Sequence, residues 1–207
     1  MFIYFIYIYM SKIIIHISGA SGSGKTFLGN QLKELFGKKI IVKDLDDLRD
    51  EFIKIFYGDK KWTYINEKEY QNFIDTFIDK QKKPLVFVGL NDNNVYGKNK
   101  SLYYDLHSLY NYYIEIDDMI IVKQKCLRLL DDIQNDEMAM KDLVKNNQLF
   151  IKMFSQAIER ECSAKETIKM NNKWKKDYEK QGYKLMSREN IFKNVVKILN
   201  NHIKNGV

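Results

Sequence analysis

The 207-residue chain is 45% hydrophobic and 29% charged, with a single proline, which excludes a disordered chain and suits one α/β domain. Its net charge of +7 is uneven: residues 141–207 hold 15 Lys and Arg against 7 Asp and Glu, a field for a polyanion or a solvated Lys-rich face. Two distant cysteines, Cys126 and Cys162, exclude a disulfide framework and fit a reducing cytoplasm, while His16, His107 and His202 have no metal-binding spacing and read as structural residues.

Residues 1–10, MFIYFIYIYM, are apolar but too short to span a bilayer, and no signal-cleavage pattern follows. They read as a strand or a dispensable extension, with Met10 an alternative start. Residues 12–18, KIIIHIS, predict a buried strand of a parallel sheet. A Gly/Ser turn precedes a helix over 25–36, and a second strand over 39–43 runs into an acidic turn with Asp44, Asp46 and Asp47. Phe52, Ile55 and Phe56 predict the next helix. Tyr70, Phe73, Ile74, Phe77 and Ile78 follow i, i+3, i+4, i+7, i+8, the stripe of an amphipathic helix.

Pro84 opens a third strand over 85–88, and the polar run 91–100 reads as a loop. A fourth strand over 112–116 leads into a helix ending near 133. Residues 137–180 are highly charged and mostly helical, until Gly182 breaks the pattern before a fifth strand over 183–186. Ile191, Val195, Ile198, Leu199 and Ile203 mark the final helix. Strands alternating with helices predict a parallel sheet covered on both faces, in one domain over 1–207. No stretch reaches membrane length.

The most specific feature is Gly19-Ala20-Ser21-Gly22-Ser23-Gly24-Lys25-Thr26, a complete G-x-x-x-x-G-K-[ST] placed between a strand and a helix. Glycines let backbone N–H groups turn inward around an anion, and the helix behind them points its positive end at it. Lys25 is then placed for the β- and γ-phosphates of ATP, and the Thr26 hydroxyl for Mg²⁺. A guanine-reading N-K-x-D is absent, since Asn172-Lys173-Trp174-Lys175 lacks the Asp. The chain is also too short for a large motor ATPase.

Asp44-Leu45-Asp46-Asp47 follows the second strand, beside the expected loop. One carboxylate there suits Mg²⁺ and another an acceptor hydroxyl; an acidic helix cap is the other reading, and the two can coexist.

On these residues the chain resembles the P-loop kinases of small molecules and nucleotides, the group of gluconate, shikimate, uridine and adenylate kinases. GASGSGKT is similar to the gluconate and uridine kinase loop, DLDDL to the D-x-D of the shikimate kinase type, and PLVFVGL and YYIEID to the third and fourth strands. The resemblance implies a five-stranded sheet in the order 2-3-1-4-5. It also implies an acceptor-binding insert over about 47–83 and a helical lid over about 134–180. By the same resemblance Asp44 serves the metal and Asp46 the acceptor.

The pattern departs from the family in having no paired lid arginines and no D-R-[YH]. Arg128 stands apart, near Lys123 and Lys125, and is the candidate for stabilising charge on the transferring phosphoryl group; Arg160 lies far downstream. Asp92, after the third strand, is a candidate for metal or substrate, or a plain loop residue.

The expected function is an ATP-dependent kinase acting on a small-molecule, nucleoside or nucleotide acceptor. The basic last third also allows a polynucleotide 5′-kinase, and a nucleotide-binding regulator without phosphotransfer is the rival of another class.

Overall fold

The computed structural model describes residues 12–58, 65–91, 104–136, 141 and 145–204. The readings made for residues 1–10, for most of the loop 91–100 and for Asp92 lie outside them.

Five parallel strands form one sheet: β1 (Ile14–Ser18), β2 (Ile41–Asp44), β3 (Leu85–Val88), β4 (Tyr110–Ile114) and β5 (Lys184–Met186), in the order β2-β3-β1-β4-β5. This is the expected α/β sandwich with a 2-3-1-4-5 sheet. The pairing of Ile14 with Leu85 and of Ile15 with Tyr110 sets β1 at the centre, so its C-terminal end reaches the middle of the sheet's edge. β1 is buried throughout, which is why its sequence is a continuous apolar run rather than an alternation.

The strand alternation nonetheless sorts the core into two layers. Ile15 and Ile17 face helix α1 (Lys25–Phe36) and helix α7 (Arg188–Lys204), packing with Leu28, Leu32, Ile191, Val195 and Leu199. Ile14 faces the other way, towards helices α2 (Leu45–Tyr57) and α3 (Glu67–Lys80), with Leu48, Phe52, Ile74 and Ile78. Of the apolar residues that mark α2, Phe52 is buried, but Ile55 and Phe56 are exposed.

Helix α4 (Asp118–Asn135) follows β4 and is capped by Asp117, whose carboxylate accepts from the Met119 and Ile120 N–H groups. It packs against helices α5 (Asn147–Glu161) and α6 (Ala164–Lys180). Tyr178 of α6 packs against Tyr113 and, edge to face, against Tyr183 under the β4–β5 side of the sheet. Gly182, at φ 83, turns the chain from α6 into β5, in a conformation that favours glycine.

Two boundaries differ from expectation. β4 starts and ends two residues earlier than 112–116, because Tyr110 and Asn111 pair with β1 despite their polarity. β2 runs over Ile41–Asp44 rather than 39–43, because Gly37–Lys39 forms a tight helical turn first. It stops at Asp44, whose side chain accepts from the Asp46 N–H and starts α2 at once. Asp44 and Asp46 therefore do not share a strand face.

Candidate active site

The glycine loop joins β1 to α1 at the C-terminal edge of the sheet, where ligands of open α/β sheets bind. Gly24 adopts φ 87 as the residue before α1, a left-handed conformation that leaves the first helical N–H groups free for an anion. The loop is braced from inside: the Ser23 N–H donates to the Ala20 carbonyl, and the Lys25 ammonium donates to the carbonyls of Gly19 and Ala20 at 2.7 and 2.8 Å.

A cleft of about 340 Å³ opens in front of this loop. It is lined by Ser21, Gly22, Gly24, Lys25 and Thr26 from the loop, and by Asp44 and Asp46 from the start of α2. Arg128 and Gln124, one turn apart on α4, close it from above. Most of the sequence candidates are thus brought to one place; Gly19, Ala20 and Ser23 of the loop do not line the cleft. Asp47, by contrast, is exposed and does not line the cleft. Lys123 is exposed outside the cleft too, and Lys125 faces Thr167 instead.

The electrostatics follow from this packing. Burial pushes the Lys25 ammonium down to about 8; Asp46 and then Asp44 oppose that fall, and Arg128 adds to it. Asp44 has two partners, the Asp46 N–H at 3.0 Å and the Thr26 hydroxyl, which donates to it at 3.1 Å. Thr26 and Asp44 thus present neighbouring hard oxygens. That donor set fits Mg²⁺, which takes one or two protein oxygens and completes its shell from phosphates and water. Asp46 is held by Arg49 at 3.0 Å. Arg128 is largely exposed, and its nearest acidic partner is Asp132 at 4.0 Å.

The acidic start of α2 is positioned by the sheet. Gly89, just past β3, lies so close to Leu45 that a Cβ on it would sit 2.8 Å from the Leu45 Cβ. The carbonyl of Gly89 accepts a hydrogen bond from His16 Nε2 at 3.0 Å, while His16 Nδ1 accepts from the Tyr183 hydroxyl at 2.6 Å. Burial lowers His16 to about 4, so the ring is neutral and this tautomer satisfies both partners. His16 is indeed a structural residue, and it sits directly behind the site.

Sequence reasoning did not single out Arg188, Phe27, Leu90 or Gln124. Arg188 lies over the Phe27 ring at 5.0 Å, and its guanidinium occupies the space beside Gly24. Arg188 is 164 positions from Gly24, and only its place two residues past the last strand hinted at this edge.

No protein-family model matches the sequence, and no curated protein matches it. Among solved structures the chain is similar to shikimate kinase from Bacteroides thetaiotaomicron, at 14% identity over 91% of this chain and 98% of that one, with a TM-score of 0.42. Among the described residues no helix is long and apolar enough to cross a membrane.

Proposed function

We propose that the chain is an ATP-dependent phosphotransferase that moves the γ-phosphoryl group to a small-molecule, nucleoside or nucleotide acceptor. The observation that carries this reading is the convergence of Lys25, Thr26, Asp44, Asp46 and Arg128 on one cleft at the mouth of the glycine loop. A loop for phosphate binding needs only the first two. A carboxylate pair with a cation opposite is the further equipment that transfer requires.

Each residue then has a role set by its chemistry. The loop N–H groups and the α1 N-terminus hold the phosphates. Lys25 exchanges its bonds to the Gly19 and Ala20 carbonyls for phosphate oxygens, becoming the charge that follows the γ-phosphoryl group. Thr26 and Asp44 hold Mg²⁺, which supplies charge neutralisation of the phosphates when bound. Asp46, steadied by Arg49, orients the acceptor hydroxyl and takes up its proton. Arg128 stabilises charge on the equatorial oxygens. Little covalent work falls to the protein, so the rate comes from positioning and electrostatics.

The test is ADP release from ATP across nucleosides, nucleotides, sugars and oligonucleotides, with Lys25→Ala as the control. Loss of one preorganised donor lowers turnover by about 10²–10³. A folded Lys25→Ala variant with normal turnover would remove the loop from the mechanism.

A further inference from the structure

Two helices touch the glycine loop. At Gly22 it meets α4, where an added Cβ would lie 3.5 Å from the Gln124 Cβ; at Gly24 it meets α7, where an added Cβ would lie 2.6 Å from Nη1 of Arg188. The α4 side brings Arg128 to the cleft. We propose that the α7 side supplies a second arginine: Arg188 binds the phosphates of the nucleotide that are not transferred, next to the nucleoside. This rests on the phosphotransferase reading above.

Three observations select Arg188 for that task. The first is place. Its guanidinium lies over the Phe27 ring at 5.0 Å and against Gly24, and both of those residues line the cleft. Gly24 immediately precedes α1, whose first N–H groups are free for phosphate. Arg188 itself stands exposed at the rim, on a side chain long enough to turn inward. Its planar fork of donors matches two oxygens of one phosphate.

The second is that nothing else accounts for the charge. Among the described residues Arg188 forms no ion pair, and Glu189 beside it is taken by Lys193 at 2.7 Å. As the first residue of α7, a cation opposes the helix dipole, so it does not serve the helix either. Its contact with the face of the half-exposed Phe27 is weak, and yields to a charge-assisted bond with phosphate. The third is division of labour. Arg128 is among the charges that act on Lys25, and Arg188 is not. Lys25 marks the transferring end of the nucleotide, so Arg188 serves the other end. The pair of arginines that the sequence lacks at short spacing is then split between α4 and α7.

Titration calorimetry on the full chain with Mg²⁺ tests the assignment, using ATP, inorganic tripolyphosphate and adenosine. Arg188→Met keeps an apolar stem over Phe27 and removes the charge. It should bind ATP and tripolyphosphate roughly tenfold more weakly, by the same factor, and adenosine as wild type does. Arg188→Lys keeps the charge without the fork and should lose less. Because the position is exposed, both variants should melt with wild type. Equal binding of tripolyphosphate by wild type and folded Arg188→Met overturns the assignment and leaves the kinase reading standing. A loss shared by ATP and adenosine but absent for tripolyphosphate also overturns it, because it marks a residue that stacks on the base. A wild-type chain that binds neither ATP nor tripolyphosphate removes the phosphate loop itself, and this assignment with it.

Discussion

On the proposed reading Asp44 does two separable jobs, and one pair of substitutions distinguishes them. Its carboxylate accepts from the Asp46 N–H, which caps α2, and from the Thr26 hydroxyl, which places its charge where the proposed Mg²⁺ would sit. Asparagine caps a helix about as well as aspartate, so Asp44→Asn should keep the cap while removing the charge. Its melting temperature should stay within about 1 °C of wild type, because a ~0.3 kcal/mol change moves a domain of this size by no more than that. Asp44→Ala loses the cap as well, at about 1 kcal/mol, and should melt roughly 2–4 °C lower. Both variants should need about 10–100-fold more Mg²⁺ for half-maximal turnover, the usual cost of losing a residue that tunes a metal site. The assay is ADP release against Mg²⁺ at fixed ATP, paired with thermal melts. If Asp44→Asn keeps the wild-type Mg²⁺ dependence, the acidic start of α2 is only a helix cap, and the metal role assigned to Asp44 is wrong.

Lys25 sets an alkaline limb. On the proposed reading its charged form is needed for ATP; that form is lost as pH rises through about 8, so kcat/KM for ATP should fall above that pH, and Asp46→Asn should move the limb lower, because Asp46 holds Lys25 up. A pH–rate profile checks both. His16 sets an acid limb in stability: buried neutral at about 4 against 6.5 unfolded, it makes the unfolded chain bind more protons between those values. Stability should therefore drop as pH falls from 6.5 to 4, by at most about 3 kcal/mol, and His16→Gln should flatten that part of a melt-versus-pH series. Gly89→Ala sets a Cβ against Leu45 at φ 138 and should cost about 1–3 kcal/mol by thermal melt, with turnover falling further because Asp44 and Asp46 flank Leu45. Wild-type melting and turnover in that variant would show that α2 shifts freely.

The parts of this site legible in the sequence are those whose chemistry is local. The glycine loop needs eight consecutive residues between a strand and a helix, and each requirement is written within that span. The stripes of α3 and α7 were equally readable, because a helix records which face is buried every three or four positions. The acidic turn was half readable. Residue types announced both a cap and a carboxylate site, but whether β2 ran on through Asp46 depended on where Asp44 turned its own side chain. The sheet order came from resemblance to known kinases, since periodicity does not say which strands are neighbours.

What escaped the reading is held by contacts far apart in the chain. His16 stands in a strand buried on both faces, where no alternation distinguishes an inward polar residue from an apolar one, and its partners are 73 and 167 positions away. Helix α6 reads as a charged, solvated segment. Yet Thr167, Asn171 and Tyr178 are buried on it, because the face that matters carries hydroxyl, amide and phenol groups rather than aliphatic ones. Asn171 accepts from the Tyr113 hydroxyl and donates to Asp118, and Tyr178 donates to Asn91, just past β3. Such polar ties look like surface in a sequence and act as core in the fold. They also explain why the site is built where it is. The ends of β1, β3 and β4 are each pinned by a side chain from another element. The loop starts from β1 and α4 follows β4, while the start of α2 packs against Gly89 just past β3, so the charges that face the cleft are placed by the sheet as well as by one another.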